Sequence, residues 1–360
     1  VREHKHEIKP PNLYKTEDGT TKLGLKPIEH LDWKRVGIRY DEQGGTDKDG
    51  VMELRPGVKD LDLGNSKYAQ VRIGVGGTHY LKGMAVYGDP KDFPKGVDVI
   101  FNTNKKQGTP KEDVLKKLKD DPDNPFGAQI KPNGQKGAIN KVNEEGDWGT
   151  WSKTLSSQFV SKQPPILVKG RIQKTYEKLQ KEFDEIANLN NPVVRRIMMA
   201  DFANGLTTKR HNLKLTGFDR MRGQVLLPLS GIKANEIYAP NFKNGEKVVL
   251  VRYPHGGIFE LPELTVNNKL GNGPAKFMKG AKDAVGIDSS VASKLSGADF
   301  DGDTVMVIPN NKNGIKTSRS LKELKNFDTN QYYSPDKNIL KRDSKGNWTI
   351  KQKTMGEVSN

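Results

Sequence analysis

The stretch KLSGADFDGDTVMVIP, residues 294–309, constrains this chain more than any other. Asp299, Asp301 and Asp303 fall at alternate positions, Gly302 lies between the last two, and a hydrophobic run follows at once. Carboxylates this close repel one another unless a cation sits among them. Hard oxygen donors suit Mg²⁺ or Ca²⁺, and glycine lets the backbone turn tightly enough for the side chains to converge. The run over 304–309 reads as a strand. The pattern leads to the expectation of a strand launched directly from a loop able to hold a divalent ion.

Two familiar acidic loops do not fit. An EF-hand needs Gly at loop position six and Glu at twelve; counted from Asp299, those places hold Thr304 and Asn310. A phosphatase of the haloacid-dehalogenase type needs D-x-D-G-T after a hydrophobic strand. Here Asp303 intrudes between Gly302 and Thr304, and KLSGA is no such strand. An acidic turn without a metal is the plain alternative.

The formal charge is +16, from 60 Lys and Arg against 44 Asp and Glu. Such an excess favours polyanionic partners, nucleic acid above all, with solubility as the bland alternative. A length of 360 residues suits two domains. Frequent Gly (37) and Pro (20) suit many short strands joined by turns. The absence of cysteine excludes disulfides, thiolate metal sites and a cysteine nucleophile. No apolar stretch reaches membrane-spanning length and no signal peptide is visible. The chain starts at Val1 rather than Met, which points to a processed product or an excised part of a longer protein.

Residues 1–70 are polar and turn-rich, with few clear elements. Strands are expected over 69–75, 83–87 and 97–101. A helix is expected over 109–121, with Thr109 as cap, Pro110 in the first turn and Glu112 completing a capping box. Residues 122–165 read as loops. Ile172, Tyr176, Leu179, Phe183 and Ile186 recur at spacings of 4, 3, 4 and 3, the stripe of an amphipathic helix, which normally packs. Asn190 and Asn191 break it and Pro192 opens another helix, so 166–205 reads as a helical connector. Strands return at 224–229, 247–252, 258–261 and 304–309. The segment 311–360 has 11 basic and 5 acidic residues and reads as a solvated extension.

ADFDGD at 298–303 resembles, at every position, the metal loop of multisubunit RNA polymerases. The order of TTKRHNLKLTGFDRMRGQVLLPLSG (207–231), KVVLVRYPHGGIFELPEL (247–264) and AVGIDSSVASKLSGADFDGD (284–303) is similar to the double-psi β-barrel of the beta-prime-type subunit. Silencing-type RNA-dependent RNA polymerases share that barrel, with a form closer to G-D-x-D-G-D. GGTHYLKGMAVYGDPKDFPKGVDVIFN (76–102) resembles the beta-type subunit's stretch around N-K-G, with Lys82 on its lysine. Both in one chain is the arrangement of single-chain two-barrel RNA polymerases, several of them phage-encoded.

The resemblance implies a mainly β fold with α: two double-psi β-barrels joined by a helical connector. It divides the chain into 1–165 (first, beta-like barrel with a polar extension), 166–212 (connector), 213–310 (second, beta-prime-like barrel) and 311–360 (basic extension). It implies a Mg²⁺-dependent nucleotidyltransferase, a template-directed RNA polymerase extending a 3′-hydroxyl with nucleoside triphosphates. A primase or terminal nucleotidyltransferase on the same barrel, or an inactive nucleic-acid-binding module, are the alternatives. Asp299, Asp301 and Asp303 would hold the catalytic Mg²⁺, and Phe300 would anchor their loop in the barrel. Lys82 would reach phosphates, and Arg252 the nucleotide sugar. Lys209, Arg210, Arg220 and Arg222 would contact template or product backbone. The implied partners are DNA or RNA template, RNA product, nucleoside triphosphates, no membrane, and the remainder of a larger parent protein. The implied location is the cytoplasm, that of the host cell if the chain is phage-encoded.

Three departures stand out. The family's second lysine, eight residues before Lys82, is Gly74 here; Arg72, Lys67, Lys105 and Lys106 are the candidates to replace it. The asparagine that helps sense the ribose 2′-hydroxyl is Gly297. A bridge helix and trigger loop would have to lie beyond this chain. His79 and His255 fall in matched stretches and receive no role.

Overall fold

The computed structural model describes residues 13–15, 20–23, 27–121, 124–127, 130–131, 134–148, 154–155, 159, 162–211, 213–214, 223–253, 255–269, 278–295, 297–312, 314–319, 340–342 and 348–350. Val1–Ser318 form one unit and Arg319–Asn360 another. In the second unit Leu340–Arg342 pairs antiparallel with Trp348–Ile350. No helix among the described residues is long and apolar enough to cross a membrane.

The second half of the first unit is a closed six-stranded barrel. Its strands are β7 (Gly223–Pro228), β8 (Glu236–Tyr238), β9 (Lys247–Val251), β10 (Glu263–Val266), β11 (Ala284–Ile287) and β12 (Thr304–Pro309). Around the barrel, β7 runs parallel to β11, β11 antiparallel to β8, β8 parallel to β10 and β10 antiparallel to β9. Strand β12 then lies antiparallel to both β9 and β7 and closes the ring.

The first half repeats this order. Its principal strands are β1 (Val36–Arg39), β2 (Val51–Leu54), β3 (Tyr68–Val75), β4 (His79–Tyr87), β5 (Val99–Asn102) and β6 (Ile139–Glu144). Strand β1 is parallel to β5, β5 antiparallel to β2, β2 parallel to β4, β4 antiparallel to β3 and β3 antiparallel to β6. Both halves thus read first–fifth–second–fourth–third–sixth, with the same sense at every step. They differ at closure, because β6 does not pair with β1 and the first half is an open sheet of nine described strands. Three short strands complete it: Gln135–Lys136 on β6, His30–Leu31 on β3 and Lys116–Lys117 on β4.

The two halves share buried material. The barrel core around Leu226, Val248, Val285 and Val307 is continuous with Tyr68, Met84 and Trp148 of the first half. Asp283, 1% exposed, ties them with polar bonds. Its carboxylate accepts from the Tyr68 hydroxyl at 2.8 Å and from the main-chain N–H groups of Gly146 and Trp148 at 2.9 and 2.8 Å. The first half has its own core around Leu54, Val71, Ile73 and Leu81.

Between the halves run α1 (Pro165–Ala187) and α2 (Pro192–His211). Asn191 separates them as expected: its side chain accepts from the N–H groups of Val193 and Val194 at 2.9 and 3.2 Å, an N-cap ahead of Pro192. The stripe on α1 packs only towards its end, where the Phe183 ring lies 6.1 Å from that of Phe202 on α2. Ile186 is buried, whereas Ile172, Tyr176 and Phe183 are exposed.

Other expectations need correction. The helix over 109–121 is one turn, Lys111–Val114. The Thr109 hydroxyl donates to the Lys106 carbonyl at 2.7 Å instead of capping, and Lys116–Lys117 leave the helix to pair with β4. Residues 258–261 form a 3₁₀ turn at Ile258–Glu260 instead of a strand. There the Glu260 carboxylate accepts from the Gly256 N–H at 2.6 Å, and the strand begins only after Pro262. Residues 1–70 hold β1, β2 and part of β3, and 122–165 hold β6, so neither stretch is element-poor.

Candidate active site

The aspartate loop is fixed at both ends. Before it, a single helical turn, Ser289–Ala292, is capped by Asp288, whose carboxylate accepts from Ser290 N–H at 3.0 Å. After it comes β12. In the middle Phe300, 2% exposed, is embedded in the barrel core. Burying that ring turns the alternating neighbours Asp299, Asp301 and Asp303 to the open side. They are half-buried, and their carboxylate oxygens lie within 4.8 Å of one another. The loop is wrapped on itself: Asp301 N–H donates to Asp299 Oδ1 at 3.1 Å, and Asp299 N–H to Asp303 Oδ2 at 3.0 Å.

This convergence is costly without a cation. Burial, and then the charge of Asp301, push the Asp299 carboxyl up to about 7, and Asp303 adds to the effect. Three hard oxygen donors under mutual repulsion fit a divalent ion of the Mg²⁺ or Ca²⁺ kind, which would remove that repulsion.

Cations of the chain already face two of the carboxylates. From β4 of the first half, the Lys82 ammonium bonds to Asp301 Oδ2. From the end of β9, Arg252 Nη2 lies 2.9 Å from Asp303 Oδ2. The site is therefore built from both halves. Gln70 on β3 adds a further clamp, its Nε2 donating to the Asp301 carbonyl at 3.1 Å.

Gly302 is required where it stands. Its φ is +124°, and a Cβ there would come 2.3 Å from Gln70 Nε2. Gly302→Ala is expected to cost about 1–2 kcal/mol of stability and to reduce any activity of the loop by at least about tenfold through misplacement of its carboxylates. Thermal unfolding and an activity assay on the same preparation check both; wild-type activity would show that the loop geometry is not critical.

One carboxylate went unnoticed in the sequence. Asp49 sits in DKDG, which reads as an ordinary turn. Its main-chain oxygen accepts from Phe300 N–H at 3.1 Å, and its carboxylate accepts from Asn104 N–H at 3.1 Å. Burial, opposed by that hydrogen bond and reinforced by the nearby Asp301 charge, pushes its carboxyl up. The adjoining Gly50, at φ +88°, lies so close that a Cβ would reach 2.8 Å from Asp301 N. Only the pairing of this turn against the aspartate loop, a contact over some 250 residues of sequence, could have pointed to it.

The remaining sequence candidates are placed differently. Lys209 and Arg210 fall in the last turns of α2, where only the backbone is described, and Arg220 and Arg222 lie outside the described residues. Of the replacements for the second lysine, Lys67 is engaged by the Lys279 carbonyl and Glu145, Lys105 by the Asp113 carbonyl, and Lys106 by Asp41. Arg72 is directly across from Lys82 on β3. His79 packs edge-on against Trp33 with its Nδ1 at the Thr78 hydroxyl, and His255 is buried; neither is bonded to the aspartate loop.

No family model matches the chain, and no curated protein matches it. Among solved structures it is similar to the RNA dependent RNA polymerase QDE-1 from Thielavia terrestris, with a TM-score of 0.51 and 13% identity over 93% of this chain. The chain spans 40% of that polymerase chain. At this identity the likeness is one of fold alone, shared with part of an RNA polymerase chain.

Proposed function

We propose that the chain is a nucleotidyltransferase, a template-directed RNA polymerase core of the two-barrel type that uses Mg²⁺, nucleoside triphosphates and a nucleic-acid template. The observation that carries this reading is the meeting of Asp299, Asp301 and Asp303 from one half with Lys82 from the other. The repeated strand order supports reading both halves as double-psi barrels, the first left open. The excess of basic residues supports a polyanionic partner.

In the proposed reaction the 3′-hydroxyl oxygen of the growing strand bonds to the α-phosphorus of the triphosphate. The bond from that phosphorus to the β-phosphate oxygen breaks, pyrophosphate leaves, and the hydroxyl proton passes to solvent. Asp299, Asp301 and Asp303 would hold Mg²⁺, which when bound supplies charge neutralisation and a lowered hydroxyl pKa. Asp49 stands next to this group and adds negative charge where a cation must stay. Lys82, released from Asp301, presents its ammonium to phosphate as a point charge. Arg252, paired with Asp303, would approach the nucleotide sugar. Positioning and charge carry such a transfer more than a protein base does.

Extension of a labelled RNA primer annealed to DNA, and separately to RNA, with ribonucleotides and Mg²⁺, tests this reading. Templated extension supports it, and the preferred template selects the subclass. Untemplated addition would replace it with a terminal transferase. Tight, salt-sensitive binding to both duplexes without extension would replace it with a binding module.

A further inference from the structure

Arg72 has the wrong surroundings for a structural arginine. It sits in mid-strand on β3 and is 5% exposed. Among the described residues its guanidinium makes one hydrogen bond, from Nη1 to the adjacent Val71 carbonyl at 2.9 Å, and no ion pair. A guanidinium carries five N–H donors, and a buried cation without a counter-charge destabilises a fold. Burial lowers its pKa, opposed by the charges of the Tyr80 phenol oxygen and of Asp301. Other buried charges in the first half are compensated: Glu53 holds Arg39 and Lys48, and Lys141 holds Glu144.

Its position is equally telling. Arg72 is directly opposite Lys82 on β4 and directly opposite Asn140 on β6. Residues opposite one another in antiparallel strands share a face. The row Asn140–Arg72–Lys82 therefore lies on the face whose Lys82 end meets Asp301 and whose Gln70, two residues before Arg72, holds the Asp301 carbonyl. Asn140 is fully buried and its Oδ1 has no hydrogen-bond partner among the described residues. Its Nδ2 is spent on the Arg72 and Ala138 carbonyls at 3.1 and 3.2 Å. One end of the row thus meets the aspartates, and the centre holds unspent donors.

We propose that Arg72 is the second anion-binding cation of the site, holding a phosphate group beside the one taken by Lys82. This rests on the polymerase reading for which phosphate is meant, but not for the affinity itself. Two sources share the chemistry: the triphosphate of an incoming nucleotide and the backbone phosphate of the strand being extended. A planar guanidinium suits either, because it grips two oxygens of one phosphate at once.

The test compares the full chain with Arg72→Met and Arg72→Lys. Binding of inorganic tripolyphosphate without divalent metal is measured by calorimetry, and binding of a primer–template duplex by fluorescence anisotropy. Arg72→Met is expected to weaken at least one of them by about tenfold or more, with Arg72→Lys in between. Loss of tripolyphosphate binding, with a raised KM for nucleotide and little change in kcat, identifies the triphosphate. Loss of duplex binding alone identifies the strand. The thermal midpoint gives the opposing readout: removing a buried cation that makes no ion pair is expected to hold or raise it, by about 2 °C. Unchanged binding of both probes overturns the proposal. So does a lower midpoint in both variants, which would make Arg72 structural. A wild-type chain that binds tripolyphosphate through Arg72 but never extends a primer would sink the polymerase reading and leave this one standing.

Discussion

Asp301→Ala is expected to abolish nucleotide incorporation while the chain still folds and still binds nucleic acid. Asp301 is the centre of the loop. Its carboxylate meets Lys82, its main-chain N–H holds Asp299, its carbonyl takes Gln70, and its charge reaches Asp49. Alanine keeps the backbone bonds and removes only the carboxylate. On the proposed reading Asp301 is one of three carboxylates that would hold the metal, and its loss should cost at least about a thousandfold in rate. Stability should move little. The lost ion pair is part-exposed, with side chains 29% and 20% accessible, and such pairs contribute about 1 kcal/mol or less. Relief of carboxylate crowding around Asp299 works in the opposite direction. Nucleic-acid affinity should hold or rise, because one negative charge has gone and the Lys82 ammonium is free. Primer extension, anisotropy at two salt concentrations and thermal unfolding read the three quantities. Extension within tenfold of wild type would remove the aspartate loop from the chemistry.

The aspartate loop was legible because its three carboxylates and the strand that follows them are local in the sequence. Alternation places three carboxylates on one side once Phe300 is buried, and the apolar run 304–309 is the strand β12, residue for residue. Lys82 was legible only through resemblance, since a lysine in a strand announces nothing by itself. The first half was under-read for a physical reason. Strands β1 and β2 are four residues each, and β2 is buried throughout, so neither shows the alternation that marks a half-exposed strand. Their partners are parallel strands far along the chain. The helix over 109–121 failed the other way. Its capping residues are real signals, but Leu115 is drawn into the first core and Lys116–Lys117 gain a ladder on β4. Tertiary pairing overrode a local propensity worth only tenths of a kcal/mol per residue.

Glu53→Ala is expected to be the most destabilising single change near the site, and its effect should depend on pH. Glu53 lies on β2 with its side chain 5% exposed. Its Oε1 accepts from Arg39 Nη1 at 2.6 Å, Lys48 Nζ at 2.9 Å and Asn102 Nδ2 at 3.3 Å. Burial alone would raise its pKa, but Lys48 and Arg39 outweigh burial and leave it below the ordinary 4.5. The folded carboxyl therefore holds its proton less tightly than the unfolded one. The stability that follows is fully present above about pH 4.5 and disappears as the pH falls through the folded value. Alanine strands the Arg39 and Lys48 charges together beside Asn102, which should cost about 3 kcal/mol near neutral pH. Gln keeps the shape and one acceptor and should cost less, while flattening the acid limb of the stability profile. The consequence reaches the site through Lys48, which leads into Asp49 and Gly50, the turn wedged against Asp301. Loss of the hub should therefore loosen the contact between the halves and depress extension even at temperatures where the variant remains folded. Urea unfolding at pH 4 to 8, with extension measured on the same samples, separates the two effects. A cost under about 1 kcal/mol would mean that the charges around Glu53 are solvated well enough to do without it. A pH-independent cost would mean that its hydrogen bonds, and not its charge, hold the turn in place.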